Sequence, residues 1–199
     1  MAYRLEASQT KNKIATHKMN TEVVYEHLKD VKGKLTFVDL PCKNFYVNDL
    51  ANKKFKGNVN VIAYERDEKL YLELKHKNVV PKNIDYRYGD IFDMRGESIH
   101  WANFDVCFSV TNKNVNNFFG TLFGINMEKK SVLTINLVKQ HGIADKDFKE
   151  NGLQEQIVKI LYRLGHKKVS YFTCEYRSVE ENKKNSRPHT MIQSTFLIG

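Results

Sequence analysis

The sequence predicts an α/β fold with a mostly parallel sheet that closes in an antiparallel hairpin. From residue 34 to 165, short apolar runs rich in β-branched residues alternate with helix-length segments, a pattern typical of β-α-β units. The last two apolar runs, 169–176 and 191–198, have no helix between them and must therefore pair antiparallel. We expect seven strands with helices on both faces, in a single domain over 1–199 that comprises an N-terminal arm and helix (1–33), a β-α core (34–165) and the C-terminal hairpin (166–199).

The composition fits one basic globular domain. A chain of 199 residues can bury a full core, and 32 Lys and Arg against 23 Asp and Glu give a net charge of +9. Clustered cations displace counterions from phosphates, so this excess favours a nucleic-acid partner. The alternative is a Lys- and Asn-rich chain whose charges are simply solvated.

The cysteines and the apolar runs predict a soluble protein in the cytoplasm. Cys42, Cys107 and Cys174 are far apart, and none forms a C-x-x-C pair, which argues against a zinc or other metal site and for reduced thiols. No apolar run reaches the roughly 18 to 20 residues of a membrane helix, and the N-terminus lacks the apolar region of a signal peptide.

The N-terminal region changes character at Thr21. Residues 7–20 are polar and basic without a clear period, which predicts a loop or a mobile arm. Apolar residues at helical spacing then run from Val23 to Val31, and Gly33 can end that helix.

The β-α core contains five predicted strands. Residues 104–110 are apolar enough to be buried on both faces, as central parallel strands are. Between the strands we predict a helix or irregular segment up to Phe55, a helix opening at Arg66, and helices over 112–126 and 148–164. The five strands are 34–39, 59–65, 84–88, 104–110 and 131–138.

Two of these strands end in a carboxylate. Asp39 closes the first strand and Glu65 closes the second. A right-handed crossover between parallel strands leaves both ends at one edge of the sheet, where open α/β sheets bind small ligands. Acids at that edge can accept hydrogen bonds from the amine and ribose hydroxyls of a nucleoside. The alternatives are a turn cap for Asp39 and an ion pair with Arg66 or Lys69 for Glu65.

The order of elements, with Val38-Asp39-Leu40-Pro41-Cys42, Glu65, Gly89-Asp90-Ile91 and Phe104-Asp105-Val106, resembles the class I S-adenosylmethionine-dependent methyltransferase family. The resemblance covers nearly the whole chain and implies a Rossmann-like fold, S-adenosylmethionine as cofactor and methyl transfer as the activity. It also implies the cofactor contacts: Asp39, Leu40 and Pro41 in the loop after the first strand, Glu65 and Arg66 at the ribose, Asp90 (or Asp93) and Ile91 at the adenine, and Ser109 after the fourth strand.

The cofactor loop departs from that family. Its members carry two or three glycines there, where this chain has Pro41, Lys43 and Phe45, and a side chain narrows such a loop. A second hypothesis follows, namely a catalytically inactive relative that binds nucleic acid or docks on a partner. A dinucleotide site is a third, weakened because G-x-G-x-x-G is absent.

The methyl acceptor is not identified by any complete motif. Residues 109–112 lack the Asn or Asp, two prolines and aromatic residue of amino-methylating members. Ribose-methylating members use a set of Lys, Asp, Lys and Glu. Of this set, only Lys139 falls in a comparable place. Residues 109–112 supply no Asp, and Gln193 or Ser194 stands where the Glu is expected. Lys139 and Asn112 are the candidate catalytic residues. The alternatives are that Lys139 is a solvated Lys at the end of a strand and that Asn112 caps the following helix.

Basic residues near both ends of the chain predict the nucleic-acid contact, with an aromatic side chain to stack on a base. A second copy of the chain or a partner protein is also left open, and His17 and His141 lie where a substrate could pass. The candidate substrate-binding residues are Lys11 and Lys13 in the arm, and Tyr176, Arg177, Lys183, Lys184 and Arg187 in the hairpin.

Overall fold

The computed structural model describes residues 11–40, 45–109, 112–138, 150–177 and 190–199, and their side chains apart from 106–109, 112–114, 138, 150–151 and 177. The helices are α1 (Lys11–Leu28), α2 (Tyr46–Lys54), α3 (Glu68–His76), α4 (Asn112–Gly124) and α5 (Glu150–Arg163), with a 3₁₀ turn at Ile91–Asp93. The strands are β1 (Leu35–Asp39), β2 (Val59–Glu65), β3 (Ile84–Tyr88), β4 (Ser98–Ser109), β5 (Asn126–Val138), β6 (Val169–Arg177) and β7 (Thr190–Ile198).

Within the described residues, the seven strands form one sheet in the order β3-β2-β1-β4-β5-β7-β6. The strands from β3 to β5 are parallel, and β7 lies antiparallel between β5 and β6. The predicted α/β class and the closing hairpin are confirmed. Because β1, β2 and β3 are parallel neighbours, their carboxyl ends share one edge of the sheet, called here the carboxyl edge.

Side chains alternate between the two faces of the sheet, and each face carries its own core. On one face, Phe104 and Ile135 pack with Phe118 of α4 and Ile157 of α5. The opposite face contains a second apolar cluster that includes Phe37, Trp101, Phe55 and residues of α1. The second face therefore lies beneath α1 and α2, and it is the face that bears Asp39.

Helix α1 corrects the prediction of a loop or arm over residues 7–20, since residues 11–20 are helical. Its buried residues recur at helical spacing, but most of them are polar, so the hydrophobic pattern did not reveal the helix. Although α1 has 18 residues, no helix in the described ranges is long and apolar enough to cross a membrane. The buried residues of α1 are Lys13, Thr16, His17, Asn20, Thr21, Val24 and Leu28.

Strands β4 and β5 begin earlier than predicted. Ser98 pairs with Asn126 and Ile99 with Met127, so the two strands already associate before residues 104 and 131. The start of β4 carries buried Ile99 and Trp101, whereas the start of β5, residues 126–130, is mostly polar and is held in the sheet by its pairing with β4.

Candidate active site

Asp39 is buried at the end of β1, on the face covered by α1. Its Oδ1 accepts a hydrogen bond of 2.8 Å from Nδ2 of Asn103 on β4. Burial, and to a lesser extent the nearby Asp105 carboxylate, raise the pKa of Asp39 to about 7, whereas the hydrogen bonds from Asn103 and the Leu40 N–H and the charge of Lys13 lower it. The carboxyl group is thus fixed against β4 and changes its charge near neutral pH.

Glu65 occupies the corresponding position at the end of β2. Asp39 pairs with Ala63, so Glu65 lies two residues further along the neighbouring strand. Its carboxylate is buried and accepts the backbone N–H of Asp67 at 2.8 Å. Burial, followed by the charge of Glu65, raises the pKa of Tyr86. The carboxyl edge therefore bears a second oriented carboxylate one strand away from the first.

Asp90 follows β3 at the same edge. Its Oδ1 accepts the N–H of Phe92 at 3.0 Å and caps the 3₁₀ turn, as the turn-cap interpretation predicted. Ile91 is buried in the core, whereas Asp93 and Arg66 are exposed. Asp90 thus has a structural partner, and a contact with a ligand stays a prediction.

A buried ion pair lies on the other side of Asp39. Lys13 Nζ of α1 is 2.8 Å from Asp105 Oδ2 of β4, and both side chains are less than a tenth exposed. Asn136 of β5 donates to Asp105 Oδ1 at 3.1 Å. His17 Nε2 lies 3.9 Å from the same carboxylate, but burial lowers the pKa of His17 to about 4, so the imidazole is neutral at pH 7. Charged groups at this depth need such partners, and the pair ties α1 to the sheet.

A second polar layer holds α1 further along the same face. Asn20 donates to Thr134 Oγ1 at 3.2 Å and accepts from Thr195 Oγ1 at 2.9 Å. Trp101 Nε1 also donates to Thr134 Oγ1, at 3.1 Å. These bonds join one turn of α1 to β4, β5 and β7. The helix is therefore docked in one register, which places Lys13 over Asp105.

Several buried amide atoms in this region have no hydrogen-bond partner among the described residues. They are Oδ1 of Asn103, Oδ1 of Asn136 and both amide atoms of Gln193. An unsatisfied buried polar group costs about 1–3 kcal/mol, so such groups usually bond to water or a ligand. The face beneath α1 therefore retains hydrogen-bonding capacity beyond what its own packing uses.

An open cleft of about 580 Å³ lies between α1 and the C-terminal hairpin. Gln193 is the cross-strand neighbour of Cys174, a lining residue. Thr16 also lines the cleft and is next to His17 on α1, so the cleft adjoins the ion pair. The lining residues that the structure describes offer hydroxyl, amide and carboxylate groups to a ligand. They are Asn12, Ala15, Thr16, Cys174, Glu175, Tyr176 and Thr190.

The predicted substrate residues are distributed differently from the expectation. Lys11 is exposed, but Lys13 is buried rather than displayed on an arm. Tyr176 is buried and lines the cleft, and Arg177 is the last residue of β6. Ser109 ends β4 and Asn112 begins α4, both without a described side chain. The predictions at Pro41, Lys139, Lys183, Lys184 and Arg187 lie outside the described residues.

The sequence predicted no chemical role for Asp105, because the catalytic acid was expected at 109–112. Asn103 and Asp105 alternate on β4, and Thr134 and Asn136 alternate on β5, so each pair shares a face. Polar residues two apart in otherwise apolar strands were the available signal for this site. The partner residues on α1 carried no comparable signal.

Solved structures share this arrangement of elements. The plantazolicin methyltransferase BpumL, solved with a triazolic desmethylPZN analog and SAH, aligns at a TM-score of 0.62 with 9% identity over 100% of this chain and 89% of the other. A Clostridium thermocellum protein assigned as an rRNA methylase aligns at 0.54 with 14% identity over 96% and 97% of the two chains. A Staphylococcus aureus protein assigned as a caffeoyl-CoA O-methyltransferase aligns at 0.52 with 8% identity over 93% and 83%.

The fold is that of class I S-adenosylmethionine-dependent methyltransferases. The resemblance seen in the sequence is thereby confirmed at the level of the fold. No family model and no curated protein matches the amino-acid sequence. The named substrates of the aligned methyltransferases differ from one another, so the methyltransferase fold leaves the acceptor to be argued from this chain's own residues.

Proposed function

We propose that this protein is an S-adenosylmethionine-dependent methyltransferase that acts on a hydroxyl group of a nucleic acid. The observation that carries the proposal is the pair of oriented, buried acids, Asp39 and Glu65, at the shared carboxyl edge of a methyltransferase fold. Open α/β sheets bind nucleotides at this edge.

The residues at the carboxyl edge suit the cofactor. Glu65, held by the Asp67 N–H, can accept hydrogen bonds from the ribose hydroxyls. Asp39 would orient the loop after β1, through the Leu40 N–H that bonds to it. When bound, S-adenosylmethionine supplies a methyl group on a sulfonium, which is reactive enough to need no covalent help from the protein.

Phe45 tests this fit at the cofactor loop. It adopts φ 47 and ψ 32, the left-handed conformation for which glycine is usual, and it is buried. Its ring contacts Tyr86 edge-on, with 5.8 Å between centroids. The chain thus makes a backbone turn of the glycine type with a side chain packed against β3.

The ion pair beneath α1 suits the acceptor. A hydroxyl that enters from the cleft would meet Asp105, which can accept its hydrogen bond, and Lys13, whose ammonium stabilises charge that develops on the oxygen. We assign Lys13 and Asp105 to the first Lys and the Asp of the Lys, Asp, Lys, Glu set that ribose-methylating members of the class I family use, and Gln193 on β7 to the place of the Glu. A buried pair needs little reorganisation during transfer, because its charges are already fixed in place.

Two further observations support a nucleic acid as the substrate. The net charge of +9 favours a polyanion. The described residues of the cleft offer hydroxyl, amide and carboxylate groups to an uncharged ring or sugar, and none of these described residues is a cation that would pair with a free phosphate. A nucleoside that is part of a longer chain meets both conditions, because its phosphates lie outside the cleft.

The competing function is a catalytically inactive relative that binds nucleic acid. The packing of Phe45 near the Glu65 end of β2 favours it, because bulk there narrows the cofactor loop. The two functions differ in one measurable property, which is affinity for S-adenosylmethionine.

Isothermal titration with S-adenosylmethionine and with SAH tests the proposal. We expect binding by the wild type, at least a tenfold loss in Glu65→Ala, and no loss in Glu68→Ala, a nearby exposed control. Mass spectrometry of RNA incubated with cofactor should then show a gain of one methyl group, absent from Asp105→Asn. Absence of heat and of a thermal shift at millimolar cofactor would refute the enzyme and leave the inactive relative.

A further inference from the structure

The end of α5 and the start of β6 form a second basic surface, far from the carboxyl edge. Here it is called the α5–β6 ridge, and it consists of the exposed residues Lys159, Tyr162, Arg163, Leu164, Lys167, Lys168 and Tyr171. The chain turns between the two elements at Gly165, whose φ is 94, so these residues belong to one continuous helix-turn-strand unit.

Among the described residues, the four cations of the ridge have no ion-pair partner. Glu155 lies one helical turn before Lys159, and the sequence contains no Asp or Glu from there to Glu175. By contrast, Lys29 and Lys77, which are exposed, pair with Glu26 and Glu73, and half-buried Lys54 pairs with Glu22. The neighbouring α4 and β7 also lack acidic residues, so the field of the ridge extends over this corner of the molecule.

The ridge also exposes aromatic rings. Tyr162 and Tyr171 are 49% and 41% exposed, and Leu164 lies between them in the sequence at 37%. Tyr171 packs on buried Phe196 with 5.4 Å between centroids and an interplanar angle of 33°, so its ring is supported from one side. A supported aromatic ring among cations is the arrangement with which proteins stack the bases of single-stranded nucleic acids.

Strand β6 connects the ridge to the cleft. In the sheet it has β7 as its neighbour on one side and lies at the end of the strand order. Tyr171 is near its start and packs on Phe196, on the face of the sheet that α5 covers. Cys174 and Tyr176 near its end line the cleft on the face that α1 covers, so a bound strand passes around β6, the last strand in the described order. At about 3.3 Å per residue, Tyr171 and Tyr176 are about 16 Å apart along the strand.

We infer that the α5–β6 ridge binds the backbone and bases of a single-stranded nucleic acid. The unneutralised cations contact phosphates, Tyr171 and Tyr162 stack on bases, and the strand continues along β6 toward the cleft. Binding at the ridge requires no cofactor, so the inference holds whether or not the protein transfers a methyl group.

Fluorescence anisotropy with a labelled 20-nucleotide single-stranded RNA, without cofactor and over a series of salt concentrations, tests the ridge. The ridge variant carries Lys159→Gln, Arg163→Gln, Lys167→Gln and Lys168→Gln. We expect at least a tenfold loss of affinity, and a fall of about 2 to 3 in the slope of log K against log salt, since each phosphate contact on a single strand contributes about 0.7.

A charge-matched variant controls for the loss of net charge. It carries Lys32→Gln, Lys53→Gln, Lys56→Gln and Lys82→Gln, all exposed and outside α5, β6 and the strands next to β6. It should keep most of the affinity and the slope. An unchanged slope in the ridge variant, or an equal loss in both variants, overturns the inference.

A second pair of variants separates stacking from charge. Tyr171→Ala should weaken RNA binding about fivefold or more without changing the salt slope, whereas Tyr171→Phe should bind like the wild type. Thermal unfolding verifies that each variant is folded. If sedimentation shows that the ridge variant dissociates a dimer while RNA affinity is unchanged, the ridge is an interface with a second copy and the inference is wrong.

Discussion

Removal of the Lys13 ammonium is the sharpest perturbation of the proposed acceptor site. In Lys13→Met, Asp105 keeps its bond from Asn136 but loses a cation 2.8 Å away in a site less than a tenth exposed. At an effective dielectric constant of about 20, the attraction at this distance is about 6 kcal/mol, part of which is offset by desolvation of the two ions. Burial is the main cause that lowers the pKa of His17 to about 4, and it still opposes protonation of the imidazole when the smaller effect of Lys13 is removed. We therefore expect a loss of about 3–5 kcal/mol in the free energy of unfolding.

Urea denaturation of Lys13→Met at pH 7.5 measures this loss, and Lys11→Met, an exposed change two residues earlier in α1, is the matched control. The double variant Lys13→Met, Asp105→Asn should be more stable than Lys13→Met alone, because it leaves no uncompensated buried charge. A cost no larger than that of the control, or additive costs in the double variant, would show that the two charges are not coupled.

Three further predictions concern the pH dependence of stability, at Asp39 and His17, and the backbone conformation of Phe45. The pKa of Asp39 is about 7 in the folded protein and 3.8 in the unfolded chain, so the folded state holds the proton more tightly. The free energy of unfolding therefore falls as pH rises from about 3.8 to about 7. The Asp39→Asn variant should lack this fall. His17 has the opposite effect, because its pKa of about 4 in the folded protein lies below the ordinary value of 6.5, so stability falls as pH drops from 6.5 to about 4. The His17→Gln variant should show a smaller fall. Melting-temperature profiles from pH 4 to 8 that superimpose on the wild type would contradict both predictions. Phe45 has φ 47, a conformation that strains alanine more than glycine. The Phe45→Gly variant should therefore be more stable than Phe45→Ala by about 1 kcal/mol and should unfold at a higher temperature. The reverse order of unfolding temperatures would contradict the strained turn.

The local hydrophobic pattern of the sequence was sufficient to predict most of the fold. The apolar, β-branched runs that end at Asp39 and Glu65 coincide with β1 and β2 to within a residue, because those strands are buried in the middle of the sheet and their pattern reports that burial directly. The same pattern failed at the start of β5, where residues 126–130 are mostly polar and pairing with β4 extends the ladder, and at the start of β4, where buried Ile99 and Trp101 alternate with polar residues instead of forming a continuous apolar run.

The sequence by itself determined the α/β class, the order of the strands along the chain and the acids that close β1 and β2, because each depends on a few adjacent residues. Only the tertiary structure decided that residues 11–20 are a helix and that Lys13 meets Asp105, more than 90 residues away. The buried face of α1 is mostly polar, and its partners lie on strands distant in sequence. A polar residue is buried only where the folded chain supplies its hydrogen bond or countercharge, and that information does not exist in any local window of the sequence.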